Sequence, residues 1–183
     1  DTSGVSYSCF RIPSLVRAAD GTLIAFAEGR RGGCSDQGDV RIVSRSSADD
    51  GATWSDIVQV LAEPGHTIGN PAPIADRTTK AIHLLFSRDN QQIFVSRSPD
   101  NGSSWSPRVN LTSALKPNPD PAAWVATGPP GGIQLPSGRL VAAMYYNPPN
   151  MSTSSLAVFS DDGGASWQRG ADVPDGPGVY IGG

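Results

Sequence analysis

The chain has little charge, little sulfur and no long apolar run, and each shortage removes a class of function. Charged residues make up 17% of 183 positions, and 14 basic against 17 acidic side chains leave a net charge of -3. Charge this sparse and balanced offers no footing for nucleic acid or a membrane surface. No apolar stretch approaches the length of a bilayer-crossing helix, so no membrane span is expected. There are only two cysteines and two histidines. His66 and His83 stand isolated, with no metal-ligand cluster around them, so no metal or other cofactor is expected. His83, in an apolar run, reads as structural. No window carries a sustained helical period with caps. Turn formers, in contrast, are plentiful: 21 glycines and 16 prolines, as a β protein of short strands requires.

Those turn residues recur in an ordered way. Ser47-Ala48-Asp49-Asp50-Gly51-Ala52-Thr53-Trp54 returns as Ser98-Pro99-Asp100-Asn101-Gly102-Ser103-Ser104-Trp105 and again as Ser160-Asp161-Asp162-Gly163-Gly164-Ala165-Ser166-Trp167, at starts 51 and 62 residues apart. The shared form S-x-D-x-G-x-[ST]-W is turn chemistry. Asp accepts nearby backbone N–H groups, Gly adopts a conformation closed to other residues, and Ser or Thr closes the turn. The Trp is expected to pack its ring against its own unit. Asp49, Asp100 and Asp162 are therefore read as structural.

Three short apolar or alternating runs precede each copy: 10–16, 22–28 and 39–46; then 70–75, 81–87 and 92–97; then 131–135, 139–146 and 155–159. A weakly marked fourth strand follows each Trp. Four short antiparallel strands per unit make one blade of a propeller. The proline-rich stretch 106–130 reads as a loop crossing between blades. The expected fold is an all-β propeller with blades at roughly 1–60, 61–120 and 121–183. Three blades do not close such a ring, so the chain reads as about half of a larger domain.

Alternating strand direction sorts the loops by face. The three box turns share one face with the turns at 19–21, 76–78 and 136–138. The opposite face receives the loops 29–38, 88–91 and 147–154 and the starts of the first strands, placed at Arg11, Asn70 and Gly131. First strands line the axis. Arg11 and the long Gly-rich loop carrying Arg30 and Asp36 should therefore converge on a central cavity. Arg11 lies between Phe10 and Ile12. It is either a guanidinium fork for a ligand carboxylate or the partner of a local carboxylate, snorkelling to water. Asp36 is either a general acid/base or a loop-shaping residue.

The run Phe10-Arg11-Ile12-Pro13, followed by repeated Asp boxes, resembles the sialidases of the six-bladed propeller type. Also similar are Ala25-Phe26-Ala27-Glu28-Gly29-Arg30, Asn70-Pro71-Ala72-Pro73-Ile74-Ala75-Asp76, Trp124-Val125-Ala126-Thr127-Gly128-Pro129, Gly132-Ile133-Gln134-Leu135 and Gly138-Arg139-Leu140-Val141. The resemblance implies an exo-α-sialidase that hydrolyses terminal sialic acids from glycoconjugates with retention. Sialylated glycans would be its substrates. It implies that Arg11 belongs to a carboxylate clamp and that Asp36 is the acid/base. Arg30 and Asn70 would contact the 4-hydroxyl side of the sugar, while Trp124 and Tyr145 would border the N-acyl group. A Tyr nucleophile, its Glu partner and two further arginines are expected downstream, since neither Tyr145 nor Tyr180 sits in the nucleophile's motif. Residues 1–183 alone are then expected to be inactive, to bind sialic acid poorly and to associate through open blade faces. A trans-sialidase is a variant of the same class. The rivals are a non-catalytic sialic-acid-binding propeller and a scaffold. Asp36 in its Gly-rich loop argues against the first, and an axial Arg11 argues against the second.

Two expectations concern surroundings. Cys9 and Cys34 fall on one face, and are either bridged, tying the Asp36 loop to the Arg11 strand, or two buried thiols. Sequons at Asn101, Asn110 and Asn150 favour a secreted or lumenal chain.

Overall fold

The computed structural model describes residues 6–147 and 153–173. Asn150, Tyr180, the terminal run 179–183 and part of the 147–154 loop lie outside the described residues.

Twelve strands form three four-stranded antiparallel sheets, each in sequence order. The first holds β1 (Cys9–Arg17), β2 (Leu23–Arg30), β3 (Val40–Ser47) and β4 (Val58–Leu61). The second holds β5 (Ile68–Ala75), β6 (Ile82–Arg88), β7 (Gln92–Ser98) and β8 (Val109–Asn110). After a single helical turn, α1 (Thr112–Leu115), the third holds β9 (Val125–Gln134), β10 (Leu140–Tyr146), β11 (Ser154–Ser160) and β12 (Gln168–Asp172). The first strands β1, β5 and β9 pack against one another, so the sheets stand as blades around a common axis. Among the described residues, no helix is long and apolar enough to cross a membrane.

Burial follows the position of each sheet. β11 alternates strictly between buried and half-buried residues, whereas β5 and β6 are buried almost throughout. The second blade is covered on both sides, and its strands send successive side chains into different cores. Ile82, Leu84 and Phe86 join Val16, Ile24, Phe26, Ile42 and Ile68 between blades one and two. Leu85 joins Ile74, Val125, Leu140, Met144, Val158 and Trp167 between blades two and three.

The three boxes fold alike. In the first, Ser47 Oγ donates to Asp49 Oδ1 at 2.7 Å, Thr53 Oγ1 to Asp49 Oδ2 at 2.6 Å, and the Thr53 N–H to Oδ1 at 2.8 Å. Asp100 and Asp162 receive the same set. These donors hold the Asp49 and Asp162 carboxyls down at about 2, so these two stay ionised in all but strong acid, and the same set lowers Asp100. Two of the three tryptophans depart from expectation, while Trp54 keeps to its own box and donates from Nε1 to the Gly51 carbonyl at 3.1 Å. Trp105 meets Phe26 and Trp167 meets His83, each edge-on and each on the preceding blade. The box overhangs the blade edge, so its ring reaches the neighbour's second strand rather than its own unit.

Stretch 106–130 is also corrected. The crossing ends at Trp124, and the first strand of blade three begins at Val125 instead of Gly131. Its prolines sit in a bulge within the strand: Gly128 through Gly131 lie opposite Ala143 alone, between the pairs Thr127↔Met144 and Gly132↔Ala142.

His83 is structural, as expected: it is 1% exposed and its Nε2 has no hydrogen-bond partner. Burial pushes its imidazole pKa down, against an upward pull from Asp76, and Arg97 pushes it further down. Its folded pKa therefore lies below the unfolded value of about 6.5. The stability it contributes is full above that pH and lost as pH falls below it, because only the unfolded chain then takes the proton. Urea unfolding between pH 7 and 5 should show this loss, and His83→Leu should flatten it; an unchanged slope would place the acid sensitivity elsewhere.

Candidate functional site

The sequence-predicted residues meet at the loop joining β2 and β3. Arg30, the last residue of β2, is only 3% exposed. Its Nη1 donates to Asp36 Oδ1 at 2.7 Å and to the Cys34 carbonyl at 2.7 Å. Arg11 is half exposed and donates from Nη1 to the same Asp36 Oδ1 at 2.9 Å. Asp36 itself is 76% exposed. Both readings of Arg11 thus share one geometry, since it pairs with a carboxylate while standing at the rim of a cleft. That cleft, about 560 Å³, is lined by Arg11, Ile12, Pro13, Pro129 and Pro130, a volume suited to a small ligand. A second hollow, about 350 Å³, is lined by Phe10, Ala27, Val43, Arg45, Trp54 and Ile57. It is almost wholly apolar.

Backbone irregularity aims Arg11. The β1–β2 register slips between Arg11 and Ser14, where Ile12 has φ 54°, an unusual conformation for a β-branched residue. Asn70 (φ 55°) and Gly128 (φ 62°) repeat it in β5 and β9, each also followed by proline. At such a bulge a strand re-aims its side chains.

Two ties hold the Asp36 loop. Cys9 and Cys34 are bridged, with Cα atoms 5.3 Å apart, which decides between the two alternatives. At the other end, the Gly38 N–H donates to Thr67 Oγ1 at 3.0 Å and the Thr67 hydroxyl returns a bond to Gly38 O at 3.1 Å. Thr67 is held in turn by Asp89 Oδ1 at 2.9 Å. His66 is not isolated in space. Arg88 Nη2 lies 2.7 Å from its Nε2 and Asp89 Oδ2 lies 2.7 Å from its Nδ1. Because Arg88 only donates, Nε2 accepts and Nδ1 carries the proton to Asp89. Cys34→Ser, or reduction, should lower stability by about 2–4 kcal/mol and speed amide exchange across 31–39 more than in β6; equal effects on both would mean that the bridge does not hold the loop.

The remaining candidates divide. Trp124 and Tyr145 pack with centroids 4.6 Å apart and ring planes tilted by 49°. Burial first, and then the negative charges of Glu28 and Asp36, push the Tyr145 phenol up. Asn70 turns inward: it is 6% exposed and its Nδ2 donates to Ser87 Oγ at 2.8 Å. Glu28 was missed. Its carboxylate is 4% exposed and accepts Arg30 Nη2 at 2.6 Å and Nε at 3.0 Å. The signal was present: a glutamate in an apolar strand, two residues before an arginine and so on the same face of the strand.

The family described as BNR repeat-like domain matches residues 21–176. The exo-alpha-sialidase of Arthroderma benhamiae is 30% identical over 95% of this chain and 51% of that protein. The chain spans about half the length of the curated relatives it matches. Among solved structures, the Hadza microbial sialidase Hz136 superposes with a TM-score of 0.84 at 25% identity, over 92% of this chain and 38% of that one. Trypanosoma rangeli sialidase in complex with sialic acid gives 0.72 at 18% identity, over 94% and 33%, which shows the fold. With its family match spanning all three sheets, this chain belongs to the BNR repeat-like domain family.

Proposed function

We propose that this chain forms three blades, roughly 1–60, 61–120 and 121–183, of an exo-α-sialidase acting on terminal sialic acids of glycoconjugates. One observation carries the reading: Arg11 and Arg30 converge on Asp36 at the edge of a cleft. Asp36 occupies a guanidinium edge of Arg11 that suits a sugar carboxylate. Substrate binding would exchange one carboxylate for the other, leaving Asp36 to face the glycosidic oxygen. A protonated Asp36 gives its proton to that oxygen as the bond to the anomeric carbon breaks. It takes a proton from water when the sugar is released with retention. The nucleophilic Tyr, its Glu and two more arginines would come from outside these residues, so the chain alone is expected not to turn over sialosides. Trp124 and Tyr145 would border the N-acyl group, and Arg30 the 4-hydroxyl side. The Cys9–Cys34 bridge supports a secreted or lumenal location.

Arg11 provides the test. Arg11→Lys keeps the charge and removes the planar fork. Calorimetry with a sialic acid analogue, on a longer protein that carries this chain, should show affinity falling by about tenfold or more, with thermal stability unchanged. Unchanged affinity would remove Arg11 from the clamp, and the reading with it.

A further inference from the structure

Beneath the cleft runs a buried polar seam that crosses all three blades. Glu28 Oε2 holds Arg30 by Nε and Nη2. Its other oxygen, Oε1, accepts the Asn70 backbone N–H of blade two at 2.9 Å. The Asn70 carbonyl accepts Thr127 Oγ1 of blade three at 2.7 Å, in a fully buried bond. Asn70 sits at the bulge of β5, with φ 55°. Gly69, beside it, lets the carboxylate approach: a Cβ there would overlap Glu28 Oε1. One buried carboxylate therefore satisfies the Nε edge of a guanidinium on its own blade and a turned backbone amide on the next.

A buried ion pair is weak evidence for stability, because desolvation offsets much of its attraction. It does fix direction. With Nε and Nη2 held, the plane of the Arg30 fork is set, and Nη1 can point only toward Cys34 O and Asp36. We propose that Glu28 is a positioning residue: it aims Arg30 at the Asp36 loop and locks that aim to the Asn70 bulge, so that blades one and two present the sugar-binding groups as one unit. The proposal rests on the sialidase reading for what is bound, but not for the hold on Arg30.

The experiment is side-chain and amide NMR on an isotope-labelled longer protein that carries this chain. In the unmutated protein, the Arg30 Nε–H and the Asn70 amide should exchange slowly with solvent. Glu28→Gln should speed exchange at both by about tenfold or more. Glu28→Asp keeps the charge but is one methylene short of spanning both partners. It should lower the urea midpoint less than Glu28→Gln does, yet still show fast Arg30 exchange. A merely structural counter-charge would instead be rescued at every readout by Glu28→Asp, and that result would overturn the proposal. Fast Arg30 exchange in the unmutated chain would overturn it without any variant. Titration with millimolar sialic acid separates the two readings. Shifts at Arg30 in the unmutated chain that vanish in Glu28→Asp support both. No response in any variant, with slow Arg30 exchange in the unmutated chain, sinks the sialidase reading and leaves the hold of Glu28 on Arg30 supported.

Discussion

Asp36→Asn, in a longer protein that carries this chain and turns over sialosides, is expected to slow cleavage of natural glycosides by about 10²–10⁴-fold. An aryl glycoside should be affected far less. Asn is close to Asp in shape and still accepts the Arg11 and Arg30 donors through its carbonyl, so the loop should hold its place. What is lost is the proton. A sugar leaving group needs protonation as it departs, whereas a phenolate leaves nearly unaided. Equal losses on the two substrates would show that Asp36 shapes the loop and moves no proton. The loop's ties make the comparison clean: the Cys9–Cys34 bridge and the Thr67–Gly38 bonds do not involve the Asp36 carboxylate.

The largest effect on stability should fall far from the cleft, at Gly164. Its φ is +86°, and a Cβ built there would overlap the His83 ring. Gly164→Ala thus meets both backbone strain and a rigid buried neighbour, and should cost about 2–5 kcal/mol. In thermal unfolding that is a drop of roughly 10 °C for a chain of this size. Gly138 is the control. It has φ +94° with nothing near the position of a Cβ, so Gly138→Ala should cost only about 1–2 kcal/mol. Adding His83→Ala to Gly164→Ala should recover part of the loss. Two alanine variants of equal stability would mean that strain alone governs both sites and that the contact between blades is slack.

Much of this architecture was legible before any coordinates. The box pattern located the turns between third and fourth strands, and apolar runs such as 92–97 fell within strands such as Gln92–Ser98. What local pattern hid was whatever depends on a neighbour. Gly128, Pro129, Pro130 and Gly131 look like a loop because each disfavours a regular strand. They stay in β9 because its flanking residues keep their pairing with β10. Trp105 and Trp167 read as packing on their own units because sequence carries no record of which blade edge they overhang. In the site, Arg11, Arg30 and Asp36 were found by residue type and face. Thr127 escaped because its partner, Asn70, lies 57 residues away in sequence, and although Glu28 stands two residues from Arg30, its second partner, the Asn70 amide, lies 42 residues away. Asn70 was chosen for its side chain, yet it meets both of them through its backbone.

The bulges carry a measure that the box turns lack. Ile12, Asn70 and Gly128 are spaced evenly, 58 residues apart, while the boxes drift, at 51 and then 62. The axis keeps time and the periphery does not. Length added on the outer side of a blade displaces nothing at the centre as long as the return to the next first strand is preserved. The crossing from Lys116 to Ala123 already shows such latitude. The place to graft a new peptide, or to split the chain, is therefore that outer crossing.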